Sequence, residues 1–300
     1  MKNNQGSLYS LSKNEFQSIL AFGEAGTDKL EEYNLEQATQ EIYRSEAELK
    51  EIVEILEKKK NIILQGPPGT GKTYIAKRLA YLSNGYLDNS KIQMIQFHQS
   101  YAYEDFIQGY RPTPDGGFAL KNGVFYRFCK KASNDPDNKY YFIIDEINRG
   151  NLSKIFGELM MLIENDKRGD KFALPLTYSE GLRENTFYIP ENLHLIGTMN
   201  TADRSLAIVD YALRRRFAFI DIMPQFENGL KTDLIDAGVD EAIADKIVSS
   251  MVSLNGEICK DANLGHGYQI GHSYFCNNPG SHSGDEWLTS IIKYEIAPLL

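Results

Sequence analysis

The chain predicts an α/β fold, a parallel sheet flanked by helices and followed by a smaller helical domain. Three observations carry this. The run Gly66-Pro67-Pro68-Gly69-Thr70-Gly71-Lys72-Thr73 sits between a short β-branched run, residues 61–65, and a helix-compatible stretch, residues 74–80. Strand, glycine-rich loop and helix in that order make a phosphate cradle. Two apolar runs, 140–144 and 192–198, read as strands buried on both faces, as those of a parallel sheet are. After Pro224 the alternation of strands and helices gives way to helical segments around a turn-rich piece.

Residues 1–44 form a polar N-terminal extension of weak periodicity. A helix follows, because Ser45 with Glu48 is a capping-box pattern and Leu49, Ile52, Val53 and Leu56 share one face. Lys58, Lys59 and Lys60 suit its C-terminal dipole. Beyond the phosphate loop, 92–97 reads as a strand, 98–106 as an aromatic loop and 123–132 as a helix. Asn134-Asp135-Pro136-Asp137-Asn138 is a turn, and 152–164 is amphipathic and predicts one helix. Two hairpin-like strands are expected around Gly181, then a helix over 205–216 and a strand over 217–222. The nucleotide domain is therefore expected over 45–223 and the helical domain over 224–300, with helices at 240–258 and 286–300. The chain stops inside that last pattern, as a C-terminally shortened domain would. No internal repeat or low-complexity tract is visible.

A chain of 300 residues with 42% hydrophobic and 24% charged residues has the composition of a soluble globular protein. No stretch is long and apolar enough to span a bilayer, and the first residues lack the apolar centre of a signal peptide. Cys129, Cys259 and Cys276 are odd in number and scattered, which fits free thiols in a reducing, cytoplasmic setting. A net charge of −9 argues against broad nonspecific affinity for nucleic acid by this chain alone. Every arginine lies at or before Arg216.

The loop's glycines let backbone N–H groups face a polyphosphate, Lys72 reaches the β- and γ-phosphates, and the Thr73 hydroxyl ligates Mg²⁺. Asp145 and Glu146 close the buried strand 140–144, the sheet end where ligands of such folds bind. Asp145 supports the metal, and Glu146 orients the attacking water. Asn200 closes the next buried strand, where a neutral amide can sense the γ-phosphate, the position called sensor 1 in additional-strand P-loop ATPases. Asn200-Thr201-Ala202-Asp203 also resembles the Asn-Lys-x-Asp guanine reader of small GTPases, with Thr201 in place of the lysine. Arg214, Arg215 and Arg216 end a helix, where cations suit the dipole and where they can also reach a neighbouring subunit's phosphate. His266, His272, Cys276 and His282 lie close together, but their spacing matches no common zinc motif.

Together the runs GPPGTGKT, FHQSYAYEDFIQGYRP, IIDEINRGNLSKIFGELMMLIE, HLIGTMNTADRSLAIVDYALRRRFAF and QIGHSYF resemble the McrB family of AAA+ motors. The resemblance implies an AAA+ P-loop NTPase with a helical lid, assembled as a hexamer. It implies Mg²⁺-dependent GTP hydrolysis, with ATP the alternative, stimulated by a McrC-like nuclease subunit that acts on DNA. By motif, Lys72 and Thr73 bind phosphate and metal, Asp145 and Glu146 are the metal-supporting and catalytic acids, and Asn200 is sensor 1. Arg214 or Arg215 supplies the finger, and Asp203 with Arg149 supports the site. Two features depart from the pattern. The lid has no sensor arginine, leaving Lys260, His266 or His272 as stand-ins, or hydrolysis to the interface arginines. The residues before Gly66 are too few for a DNA-reading module, which assigns target recognition to a partner or to another part of the machine. An ATP-using remodelling protein of the MoxR or dynein-related branch is the alternative, and a nucleotide-gated assembly switch is a third reading.

Overall fold

The computed structural model describes residues 30–178, 186–203, 211–227, 229–276 and 284–300. Helix α1 (Leu35–Glu41) lies in the polar extension of weak periodicity, where no helix was foreseen, and its start is fixed by Asn34 and Gln37, which form a reciprocal capping box. Helix α2 (Glu46–Lys59) starts at the Ser45–Glu48 box and buries Leu49, Ile52 and Leu56 as the periodicity requires. Strand β1 (Asn61–Gly66) then runs into the phosphate loop and helix α3 (Lys72–Asn84).

Strand β2 (Ile92–Gln96) leads to a short helix, α4 (Tyr103–Phe106), and to an antiparallel hairpin of β3 (Gln108–Pro112) and β4 (Phe118–Asn122) that the sequence reading missed. Helix α5 (Val124–Ser133) and strand β5 (Tyr140–Asp145) follow. The helix expected over 152–164 is broken: α6 (Leu152–Phe156) ends at Gly157, which takes φ 50, and the chain continues in a 3-10 turn. A side chain at Gly157 would sit 3.1 Å from the Tyr103 ring, and Glu158 beside it accepts from the Tyr103 hydroxyl at 2.6 Å and from the Thr177 amide at 2.9 Å. Those tertiary bonds displace the helical register. Strands β6 (Leu174–Pro175) and β7 (Thr186–Phe187) pair antiparallel, the turn at Gly181 lying outside the described residues. Strand β8 (Leu193–Asn200), helix α7 (Tyr211–Arg214) and strand β9 (Ala218–Asp221) complete this part. Of the expected helix 205–216, residues 205–210 lie outside the described ones.

Five strands form one parallel sheet in the order β2-β5-β8-β1-β9. Strand β8 thus lies between the phosphate-loop strand and the strand that carries Asp145. Side-chain alternation feeds two cores. Ile63, Phe142, Ile144 and Leu195 pack on one face with the aromatic set Phe97, Phe106, Phe125 and Phe156. Ile62, Leu64, Tyr141, Ile143 and Ile196 pack on the other with α1, α2 and α3. Each such burial is worth about 1.5–3 kcal/mol.

A third, separate core gathers Phe226, Leu230, Ile247, Met251, Phe275, Leu288 and others from residues after 224. It is built by α8 (Leu230–Asp236), α9 (Glu241–Lys260) and α10 (Gly284–Ile291), and α8 was not foreseen. The last expected helix changes pitch, with a π turn over Ile292–Ile296 and a 3-10 turn over Ala297–Leu299.

At the amino end of β1 a polar lock joins the layers. Arg168 is buried and gives its guanidinium to the carbonyls of Ile163 and Leu193 and to Asn61 Oδ1 at 2.7 Å. Asn61 Nδ2 donates in turn to the carbonyls of Ile163 and Arg216. Replacing Arg168 strands several buried acceptors at once. Arg168→Met is expected to lower the unfolding free energy by about 3 kcal/mol or more, read from urea denaturation.

Candidate functional site

The carboxyl ends of β1, β8 and β5 lie side by side, since Gly66 is in register with Asn200 and Ile144 with Gly197. This places the phosphate loop, the acidic pair and the amide at one sheet end. Gly69 and Gly71 take φ 75 and 74, the left-handed conformation that turns the loop backbone inward. Lys72 Nζ is folded back and donates to the carbonyls of Gly66 at 3.1 Å and Pro67 at 2.6 Å. Burial pulls its ammonium down to about 8, against the raising pull of the Glu146 and Asp145 carboxylates. The Thr70 hydroxyl closes the loop on Pro67 O at 3.1 Å.

Thr73 Oγ1 donates to Asp145 Oδ1 at 2.7 Å, so the two expected metal ligands are already adjacent. A hydroxyl and a carboxylate are the hard oxygen donors that Mg²⁺ takes. Thr198, which the sequence reading did not single out, is buried between β5 and β8. Its hydroxyl donates to Asp145 Oδ1 and accepts the Glu146 amide at 3.3 Å. Its signal was a hydroxyl within a mostly apolar buried strand.

Glu146 stands at φ 52, a left-handed backbone that is strained for a side chain with a β-carbon. Both carboxylate oxygens are held, Oε1 by Asn200 Nδ2 at 2.5 Å and Oε2 by Arg149 Nε at 3.1 Å. Arg149 also donates to Asp203 at 3.1 Å. Glu146, Asn200, Arg149 and Asp203 therefore form one network beside the phosphate loop.

Arg214 and Arg215 lie elsewhere, exposed at the end of α7. Arg215 pairs with Glu164 at 3.3 Å, and Arg216 pairs with the same carboxylate at 2.8 Å. Ala218 is in register with Ile62, four residues below Gly66. At about 3.3 Å of rise per residue that is roughly 13 Å, so these arginines sit at the sheet end opposite their own phosphate loop.

The QIGHSYF segment explains itself against the loop. Gly271 N–H donates to Pro68 O at 3.1 Å, and Ser273 N–H donates to Gly69 O at 2.8 Å. A β-carbon at Gly271 would lie 2.0 Å from the Gly69 carbonyl, so only glycine fits. His272 is buried, and its Nδ1 accepts the Gln225 amide at 3.1 Å, which makes the neutral ring the Nε2–H tautomer. Burial, helped by the Arg44 charge, pulls its pKa down to about 4. A neutral histidine is no substitute for a lid cation. Lys260 is none either, since it is exposed and paired with Glu257 at 2.8 Å. His266 contacts Cys259 Sγ at 3.3 Å, and His282 lies outside the described residues.

Between loop and lid lies a cavity of about 560 Å³. Thr70, Gly71 and Ile75 form its floor, Ile42 and Tyr43 one wall, and Asp233, Leu234 and Phe275 the lid side. Among the described residues no helix is long and apolar enough to cross a membrane.

Fold and site together define a P-loop nucleotide-binding protein of the AAA+ class, with an additional strand in its sheet and a helical lid. The chain belongs to the AAA domain family, dynein-related subfamily, whose family model matches residues 61–217, and it carries the McrB alpha-helical lid domain over 246–300. It is 53% identical over 276 residues to the Type IV methyl-directed restriction enzyme EcoKMcrB subunit of Escherichia coli (strain K12). That match takes in 91% of this chain and 60% of the relative. It is 27% identical over 196 residues to the Type II restriction enzyme BsuMI component YdiS of Bacillus subtilis (strain 168), covering 53% and 56% of the two chains. The chain thus spans under two thirds of the length of each curated relative. A solved structure of C. elegans PCH-2 aligns over 83% of this chain and 70% of its own, at 15% identity and TM-score 0.43.

Gly271→Ala is expected to weaken nucleotide binding about tenfold or more by forcing the lid off the loop, measured with a fluorescent GTP analogue. Folding favours neutral His272, whose pKa falls from 6.5 to about 4. Its contribution is complete above pH 6.5 and is lost as pH falls toward 4, by at most about 3 kcal/mol. Urea midpoints across that window should flatten in His272→Asn.

Proposed function

We propose that this chain is the GTP-hydrolysing motor of a modification-dependent restriction complex, working in the cytoplasm as a homo-oligomer, a hexamer, with a McrC-like nuclease subunit that acts on DNA. The domain limits 45–223 and 224–300 belong to this reading and are supported by the separate core after residue 224. The observation that carries the proposal is the joining of a McrB-type lid to the phosphate loop through Gly271 and Ser273. That lid also favours the restriction reading over a remodelling protein of the dynein-related branch.

The loop amides and Lys72 hold the phosphates once Lys72 leaves the Gly66 and Pro67 carbonyls. Thr73 and Asp145 would hold Mg²⁺, which supplies charge neutralisation at the phosphates. Glu146 orients and polarises the attacking water, and Asn200 reports the γ-phosphate while fixing Glu146. Thr198 positions Asp145. Arg149, itself paired with Asp203, holds the other side of Glu146. Arg214 and Arg215 act on a neighbour's phosphate, a role supported by their exposure and their distance from their own loop. With a net charge of −9, contact with DNA falls to the complex more than to the chain alone.

The test is turnover of GTP beside ATP by the purified chain, with and without the nuclease partner. GTP-selective turnover that rises with the partner is expected, and ATP preference with no response to a bound partner would move the function to remodelling. Lys72→Ala is expected to abolish nucleotide binding. Glu146→Gln should bind nucleotide, assemble and stall, whereas a switch without turnover would keep full activity. Arg214→Ala or Arg215→Ala should leave binding nearly intact and remove the part of turnover that grows with protein concentration. Turnover indifferent to both would overturn the trans assignment.

A further inference from the structure

A nucleoside whose phosphates rest on the loop has one neighbouring space of adequate size among those described, the cavity that opens at Thr70 and Gly71. Ile42, Ile75, Ile222, Leu230 and Leu234 give it apolar surface that suits the faces of any purine, and such surface carries no choice of base. Choice requires a polar group at the base's hydrogen-bonding edge.

Two carboxylates line the cavity, Glu41 and Asp233. Glu41 is committed: its Oε2 accepts from Tyr33 at 2.6 Å and from Arg78 at 2.8 Å, and the arginine neutralises its charge. Asp233 differs. Its Oδ2 accepts from the Tyr43 hydroxyl at 2.5 Å, and among the described residues no cation pairs with it. The nearby cations are engaged elsewhere, Lys231 with Glu241 and Asp245, and Arg44 with Glu48. Burial and the bond to Asp233 push the Tyr43 phenol upward, so Tyr43 remains the donor. The result is an oriented carboxylate, exposed at the cavity's lid-side rim, with acceptor capacity in hand.

We propose that Asp233 is the specificity-determining residue for the base, accepting the N1–H and N2–H₂ donors of guanine while Tyr43 holds its orientation. Guanine offers two adjacent donors that match the two acceptor sites of a carboxylate. Adenine places a lone pair at N1 and only a C–H at C2, so the same carboxylate meets a repelling acceptor and no N–H donor. Asp233 lies on the lid helix α8 and Tyr43 precedes α2, so base identity is read across the junction that Gly271 and Ser273 pin to the loop. The Asn200–Asp203 run, which resembles a guanine reader in sequence, is instead bonded to Glu146 and Arg149. This inference rests on the GTP reading above and names the group behind it.

The experiment is equilibrium binding of fluorescent GTP, ATP and XTP analogues to the full chain and to Asp233→Asn. Xanthine carries a C2 carbonyl in place of the amino group, so an asparagine can donate to O2 and accept from N1–H. Asp233→Asn is expected to lose about tenfold or more of the GTP-over-ATP preference and to gain XTP affinity by a similar factor. Tyr43→Phe keeps the carboxylate but frees it, and should lower the preference several-fold while ATP affinity stays put. It serves as the second variant if Asp233→Asn does not fold. A GTP-preferring wild type whose variants keep the GTP:ATP ratio overturns the Asp233 assignment alone. A wild type that prefers ATP overturns the GTP reading, and this one with it.

Discussion

The parallel register of β1, β8 and β5 is the constraint on which the rest depends. Pairing Gly66 with Asn200 and Ile144 with Gly197 brings three chain segments, far apart in sequence, to one edge of the sheet. A slip of one residue would exchange the two cores, moving Phe142 and Ile144 to the helix α3 side and Tyr141 and Ile143 to the aromatic side. The hydrophobic packing that fixes the register therefore also fixes the distances among Thr73, Asp145, Glu146 and Asn200. Thr198 sits at the seam and ties the acidic pair to the neighbouring strand through one hydroxyl.

A second coupling joins the lid to this edge. Two backbone hydrogen bonds from Gly271 and Ser273 to loop carbonyls hold the lid against the loop at that point, and the Tyr274 ring packs on Gly69. Any movement of the loop backbone on binding phosphate must be felt at QIGHSYF, and through it by the lid core. Lys72 is bonded to the same stretch of loop carbonyls, so extending it toward phosphate changes the loop that the lid is pinned to.

The opposite end of the sheet is built for structure. Arg168 and Asn61 lock the amino end of β1 with a satisfied polar cluster, at the sheet end opposite the strained Glu146 that follows β5. Arg214 and Arg215 are presented at that same amino end, on the outside. The length of the sheet thus separates Glu146 from Arg214 and Arg215.

The five parallel strands, the Ser45–Glu48 cap, the phosphate loop and the acidic pair were legible because each is local: periodicity, a capping box, or glycines beside a lysine. The resemblance carried the lid, and the McrB alpha-helical lid match supports it over 246–300. Other features were not legible, because they depend on contacts across the chain. The helix through Gly157 is broken by Tyr103 and Thr177, and the hairpin at 108–122 shows no clean alternation in sequence. His272 reads as a candidate cation in sequence, but burial against Gln225 makes it neutral. Sequence by itself determined what chemistry the chain carries, since a phosphate cradle needs residue types at fixed local spacing. Tertiary structure alone decided which groups meet, placing Thr198 on Asp145, Arg149 on Glu146 and Asp233 at the cavity rim, because those distances follow from packing between segments that no local pattern encodes.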